Sequence, residues 1–369
     1  MILKAVQKTC TAFCMKGIQM NKRSYFWDNY KGVLIFLVVL GHFLYAYALK
    51  YNGDFVDDLF TFIYVFHMPA FVFCSGYLSK SENARSKTSQ MKLLLYYLIF
   101  NTAMMLYAYY FMDTSLKLLT PYYSYWYILS LIFWRAFIGD LSKIKGIVPL
   151  SVIVCLLLGY WGEFSNLLSI RRTVAFFIFF LLGYKFERET FEKFMEKRNT
   201  KWIVAGILLT ILLIAGIFWI IQNYNITLNM LLLSAYKNTK HVFYRVFLLG
   251  AAFMMILAMM LITPKQKIPF LTKIGKNSLL IYLVHRFITL VYVSFFPTAQ
   301  YENVQLLYML IGTVLTCMLL GGDTINKLLA DKVNYAADCI VKNDEEGNRI
   351  KLLILLAFIA CLSLKPLLS

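Results

Sequence analysis

Apolar runs of bilayer length follow one another through most of this chain. They lie at residues 30–49, 59–79, 91–111, 122–139, 146–161, 172–186, 202–222, 243–262, 277–296 and 303–321. A helix needs about 20 mostly apolar residues to cross a hydrocarbon core. In lipid every backbone N–H and C=O must be satisfied within the segment, which leaves helices as the solution for runs of this kind. The expected fold is therefore an all-α integral membrane protein, a polytopic bundle of about ten transmembrane helices with its N-terminus in the cytoplasm. An eleventh run, 351–368, carries Lys365-Pro366 near its end and either spans or lies at the interface. The expected division is a cytoplasmic segment over 1–24, one membrane domain over 25–322, a cytoplasmic polar segment over 323–350 and an apolar helix over 351–369. Only 15% of the residues are charged, against about 25% in soluble domains. The longest polar interval, 323–349, is too short for a second, soluble catalytic domain.

The net charge of +18 invites a nucleic-acid reading. Its distribution argues against one, because the basic residues fall in short loops between apolar runs. Alternate loops hold Lys80, Arg85, Lys87 and Lys92, then Arg135, Lys143 and Lys145, then the dense stretch 185–201, then Lys265, Lys267, Lys273 and Lys276. The first intervening loop instead holds Asp54, Asp57 and Asp58. This is the positive-inside pattern, and it sets the expected orientation. Two basic groups break it: Arg171-Arg172, and the cluster Lys237, Lys240, His241 and Arg245. Among the seven cysteines, Cys74, Cys155, Cys317 and Cys361 lie in apolar runs and read as small core residues. Cys10 and Cys14 have no further ligands nearby, so no metal site is expected. The first twenty residues are broken by Lys4, Lys8 and Lys16 and do not read as a cleavable signal peptide. Met20 offers an alternative start.

Two of the four histidines, His42 and His67, sit in the middle of the first two runs. A fully charged group at that depth costs roughly 2.5 kcal/mol or more. A neutral imidazole avoids most of that cost and can still take or give a proton. Counting the helical rise, His42 lies roughly 18 Å from the inner edge and His67 roughly 12 Å from the outer edge. The two depths coincide just outside the midplane of a core about 30 Å thick, so one cavity could hold both.

Lys31 precedes His42 by eleven residues, nearly three helical turns, which puts both on one face. Lys31 reads either as a snorkelling anchor or as a ligand for an anionic group at the inner face. Asp28 is spaced to pair with it. Pro69 in FHMPAFVFCSGYL frees the carbonyl of Val65 and bends the second run. Ser75-Gly76 allows close helix approach. Ser278, Tyr282 and His285 make a polar stripe on the ninth run, suited to interhelical bonding or to a cavity wall. Trp126 in YSYWYILSL fits an interfacial belt or a platform for a sugar ring. Arg171 and Arg172, with Glu163 in the same outer loop, suit a carboxylate, phosphate or sugar hydroxyls, and equally a lipid headgroup.

The Lys31-to-His42 spacing resembles the membrane acyltransferase-3 family. So do FHMPAFVFCSGYL, WYILSL, FFIFFLLGY and GKNSLLIYLVH, in this order over roughly 25–320, and the subgroup most resembled is the sugar O-acetylases related to fucose O-acetyltransferase. The resemblance implies transfer of an acyl group, usually acetyl, from cytoplasmic acyl-CoA to a hydroxyl of a cell-surface or lipid-linked saccharide. It implies a multi-pass protein of the bacterial cytoplasmic membrane with acetyl-CoA as co-substrate and no bound cofactor. His42 and His67 become the expected catalytic residues, and Lys31, Arg85 and Lys87 the expected donor ligands. Trp126, Glu163, Arg171 and Arg172 become the expected acceptor contacts. Many members carry two arginines three apart after the SGY block, whereas this chain reads SKSENARSK. A transporter or flippase for a glycolipid or acyl group is the other class that cavity-lining histidines and outer basic residues would suit.

Overall fold

The computed structural model describes residues 24–48, 54–117, 119–160, 167–224, 226, 228–295 and 301–341. Cys10, Cys14, Met20, Glu163 and the run 351–368 lie outside them. Among the described residues every regular element is a helix. The long ones are α1 (Tyr25–Ala48), α2 (Asp54–Leu78), α3 (Lys87–Met112), α4 (Trp126–Leu141), α5 (Ile147–Leu157), α6 (Ile170–Lys185), α7 (Thr200–Asn223), α8 (His241–Ile262), α9 (Ser278–Phe295), α10 (Glu302–Leu320) and α11 (Asp323–Val341). Eight helical stretches, those of α1, α2, α3, α6, α7, α8, α9 and α10, are long and apolar enough to cross a membrane among the described residues. The protein is a multi-pass membrane protein, and the eight match eight of the ten expected runs.

The fourth and fifth runs form shorter helices, of 16 and 11 residues, each continued by a single tight turn. Both are cut short because neighbours capture their far ends. Tyr122 N–H donates to Asn101 Oδ1 at 2.9 Å, and Tyr125 Oη donates to the Leu283 carbonyl at 2.6 Å, so the chain before α4 is held against α3 and α9. After α5, Tyr236 N–H bonds the Gly159 carbonyl at 2.6 Å and Tyr236 Oη bonds that of Leu156 at 3.0 Å.

α2 is the axis of the bundle. Its apolar window is 83% buried, against 11% for α7, whose Leu208, Leu212 and Trp219 therefore face lipid. α2 packs on α1, α6 and α8. Its contact with α6 depends on two facing glycines, as Ser75-Gly76 suggested. A Cβ on Gly76 would lie 2.0 Å from the Phe180 carbonyl oxygen, and one on Gly183 would lie 2.0 Å from that of Phe73.

The loops rich in Lys and Arg gather at one end of the bundle, here called the basic end. At this end a short helix, Pro269–Lys276, opens with proline in its first turn and docks on the start of α1. Asn29 Nδ2 donates to the carbonyls of Pro264 at 3.0 Å and Gln266 at 2.7 Å, and Thr272 Oγ1 donates to Asn29 Oδ1 at 2.6 Å. Gly275 sits so close that a Cβ there would be 1.7 Å from the Asp28 carbonyl oxygen. These contacts fix the register between α1 and α9, which run parallel from this end.

The polar segment after residue 322 forms α11, which packs on α3. Leu329, Val333 and Ala337 recur every fourth residue and supply the inward face. Its start is fastened by Asn277 Nδ2, which donates to the Gly321 carbonyl at 2.8 Å and to Asp323 Oδ1 at 2.9 Å, and by Lys276 at 3.2 Å from Asp323. Those two partners, Asn277 above all, hold the Asp323 carboxyl below the usual carboxylate range.

Candidate active site

Towards the end opposite the basic loops, the bundle encloses a cavity of about 170 Å³. His42 of α1, Tyr64 and His67 of α2, Trp126 of α4, Arg172 of α6, and Tyr282 and Arg286 of α9 contribute to its wall. Tyr123 and Ser124 enter it from the segment before α4. His42 and His67 thus share one cavity, as their depths suggested, with the Tyr64 ring between them at 6.4 and 4.7 Å.

The imidazole nearest His42 is nevertheless that of His285, with ring centroids 5.0 Å apart. The register explains the meeting. Gly275 abuts the Asp28–Gly32 stretch of α1, and ten residues lead from Gly32 to His42 and from Gly275 to His285. Ten residues of helix rise about 15 Å, so the two rings arrive at one level. Their nitrogens differ in role. His285 Nδ1 lies 2.8 Å from the Tyr282 carbonyl and 3.0 Å from that of Ile281. A carbonyl only accepts, so Nδ1 carries the proton and Nε2 presents a lone pair. The same reasoning assigns the proton of neutral His67 to Nδ1, which donates to the Ile63 carbonyl at 2.7 Å.

Buried polar atoms without hydrogen-bond partners collect here: His42 Nδ1, His285 Nε2, Ser124 Oγ, and Nε and Nη1 of Arg286. Native interiors satisfy nearly all such atoms, so a cluster of exceptions marks a place built for something else. The aromatic walls carry the arginines. Arg172 lies 5.6 Å over the Trp126 ring and Arg286 lies 4.4 Å over Tyr123. Tyr123 is itself held at a φ of 47°, an uncommon conformation for a bulky residue. Among the described residues the cavity wall contains no carboxylate.

The remaining expected residues fall elsewhere. Arg171 does not line the cavity. Ser278 is buried nearer the start of α9, below Tyr282. Lys31 lies at the basic end and pairs with Asp28 at 3.1 Å. Lys87 is exposed at the first position of α3. Arg85 lies 5.7 Å over the Tyr184 ring, with Nη1 packed against Gly139 and Nε buried. One turn before Gly139 on α4 is Arg135, whose Nε donates to Ser79 Oγ at 2.9 Å. Arg85, in the segment after α2, and Arg135, on α4, thus each pack against neighbouring elements near the start of the polar file, although the sequence spaces no two arginines three apart there. A file of polar groups leads inward from Arg135. Ser79 Oγ bonds the Ser75 carbonyl at 2.6 Å, Ser75 Oγ meets Tyr127 Oη at 2.5 Å, and the Tyr127 ring is 5.1 Å from that of Tyr282 in the cavity wall. Arg245, one of the outer basic exceptions, is a structural tie. It donates to the carbonyls of Cys155 and Ser234 and lies 4.5 Å over Tyr236, pinning the α7–α8 connection to α5.

Sequence reading missed Arg286 and Arg135, and it did not pair His42 with His285. Arg286 has one available signal, a strongly basic residue directly after a histidine within an apolar run.

A helical membrane bundle with histidines and arginines around a shared cavity is the architecture of a protein that handles a polar reaction or solute within the bilayer. This chain belongs to the acyltransferase-3 family, whose acyltransferase domain matches residues 24–322. It is similar to the nodulation protein NolL of Sinorhizobium fredii, with 30% identity over 199 residues, 49% of this chain and 52% of that protein. It is also similar to the nodulation protein NolL of Mesorhizobium japonicum, with 36% identity over 135 residues, 32% of this chain and 35% of that protein. The chain thus spans about half the length, or less, of these curated relatives. No solved structure matches it.

Proposed function

We propose that this protein is a membrane O-acyltransferase that moves an acyl group, by the family resemblance acetyl, from cytoplasmic acyl-CoA to a hydroxyl of a cell-surface or lipid-linked saccharide. The reading places it in a bacterial cytoplasmic membrane with its basic loops inside, and requires no bound cofactor. The observation that carries it is the shared cavity of His42 and His67, reached from the basic end by a file of polar groups, in a chain of this family.

In this scheme Arg85, Arg135 and Lys31 meet the phosphates of the donor, with Lys87 at the rim, and the pantetheine arm follows the Ser79–Ser75 face towards Tyr282. Trp126 and Arg172 receive the saccharide. In the substrate complex His285 Nε2 comes to accept from His42 Nδ1–H, a bond the structure does not yet make, which leaves the lone pair of His42 Nε2 for catalysis. Nε2 takes the proton of the acceptor hydroxyl as its oxygen attacks the thioester carbonyl. Collapse of the adduct breaks the C–S bond, and the departing sulfur takes the proton from His42. The products are the ester and free CoA thiol. His67, with its proton fixed on Nδ1, presents its own Nε2 to the cavity and orients the hydroxyl.

The test is mass spectrometry of the host's surface glycan with the gene intact, deleted, and restored as His42→Ala. Loss of an acyl mass on deletion, unrepaired by His42→Ala at unchanged membrane level, is expected. Loss of surface polymer with the acyl mass retained on what remains would mean transport instead.

A further inference from the structure

Arg286 is a membrane-buried cation with nothing to neutralise it among the described residues. It is 4% exposed, and its Nε and Nη1 are buried without hydrogen-bond partners. Its guanidinium lies 4.4 Å over the Tyr123 ring. The other charged or titratable groups around the cavity are Arg172, His42, His67 and the tyrosines 45, 64, 123 and 282, with His285 behind His42. An uncompensated guanidinium of this kind is destabilising unless the site gains a negative charge at some point in its working cycle.

Resting on the acyltransferase reading, we propose that Arg286 is a catalytic residue that holds the oxyanion formed during acyl transfer. When the acceptor oxygen bonds to the thioester carbon, the electron pair of the C=O bond moves onto the carbonyl oxygen. That oxygen carries a full negative charge until the C–S bond breaks and the carbonyl re-forms. Arg286 follows His285 directly in α9 and shares the cavity wall with His42, so it stands beside the base. Nε and Nη1 lie on different edges of the planar guanidinium, and each keeps an unpartnered N–H able to donate to the oxyanion. The Tyr123 ring beneath and the unusual backbone at Tyr123 fix that plane before substrate arrives. Donors fixed in advance and shielded from water are the arrangement that stabilises such a charge most strongly.

The test uses membrane vesicles carrying the full chain, acetyl-CoA labelled in its acetyl group, and the glycan already present in those membranes as acceptor. Rates are normalised to protein. Removing one preorganised donor to an oxyanion costs about 10²–10³-fold in rate, and Arg286→Met is expected to show that loss. KM for acetyl-CoA should stay within about twofold, because the interaction is made only in the transition state. Arg286→Lys, which keeps charge but not the fixed planar donors, should fall between the two. The purified Arg286→Met protein should melt no lower than the unsubstituted one, since it loses an unpaired buried charge. A maximal rate within about threefold of normal, or a loss repaired by more acetyl-CoA, would overturn the assignment. A melting temperature that falls in parallel with rate in both variants would also overturn it, by showing a structural role. Absence of incorporation by the unsubstituted protein would instead remove the acyltransferase reading itself.

Discussion

Replacing His285 by Leu tests whether the second imidazole sets the first. In the structure His285 Nδ1–H is committed to backbone carbonyls at 2.8 and 3.0 Å, so Nε2 can only accept. His42 Nδ1 is buried and, like His285 Nε2, makes no hydrogen bond in the structure, and the two rings lie 5.0 Å apart. A small approach of the two rings on substrate binding would bond them and favour the His42 tautomer with its proton on Nδ1. Leucine removes the acceptor and leaves that N–H unsatisfied in the substrate complex too, at a cost of about 1–3 kcal/mol. The cost falls on the productive tautomer, which at about 1.36 kcal/mol per tenfold lowers the rate roughly 5- to 150-fold. The assay is incorporation from labelled acetyl-CoA in membrane vesicles, with KM and maximal rate separated. The loss should lie in maximal rate, because the donor does not touch His285. His285→Gln, whose amide oxygen can accept, should recover most of the rate. Full activity of His285→Leu, or equal loss in both variants at normal protein level, would refute the proposed coupling.

Gly183→Leu should lower the thermal stability and membrane level of the protein sharply, because even a Cβ there would lie 2.0 Å from the Phe73 carbonyl oxygen; overpacking typically costs about 1–3 kcal/mol. Gly216→Ala in lipid-facing α7, with nothing within 4 Å, is the matched control and should leave the melting temperature unchanged in fluorescence-detected size exclusion. Arg135→Ala should raise KM for acetyl-CoA with little change in maximal rate, the signature of lost uniform binding, and an unchanged KM would remove Arg135 from the donor site. Asp323 is held below the usual carboxylate range by Asn277 and Lys276, so its folded-state contacts favour the ionised form. That contribution is present above the ordinary carboxylate pKa of about 3.9 and fades as pH falls through the lowered folded value. Asp323→Asn should mimic the acid state at pH 7 and speed trypsin cleavage at Lys327 and Lys332; equal cleavage rates would show that α11 docks without this contact.

The helices that carry function were legible where the signal was length and hydropathy. Eight of the ten expected runs became helices of spanning length, and the two that fell short were those whose ends neighbouring segments capture through Tyr122, Tyr125 and Tyr236. Those captures are long-range hydrogen bonds, to which a local hydropathy window is blind. The same limit explains α11, whose every-fourth-residue apolar face is diluted by charge until it resembles a polar loop. At the site, depth alone brought His42 and His67 to one level, because both sit in runs with well-marked edges. Arg286 was passed over although it stands in the middle of the ninth run, where a buried basic residue is costly and is itself a signal.

The level of His285 is set by the segment that precedes α9. The docked helix Pro269–Lys276 carries the chain up beside the first turns of α1 before α9 starts. That level is written in the sequence as a pair of equal intervals. Gly32 precedes His42 by ten residues, and Gly275 precedes His285 by ten. Two glycines in backbone contact, followed by parallel helices of equal rise, must deliver residues ten further on to the same level. The close approach at Gly275 is therefore the reference point from which the catalytic level is measured, about 15 Å away. Any bulkier residue there would push α9 outward from α1, since a single Cβ already lies 1.7 Å from the Asp28 carbonyl oxygen. Gly275→Val should consequently part His285 and Arg286 together from His42, and cost more activity than His285→Leu alone.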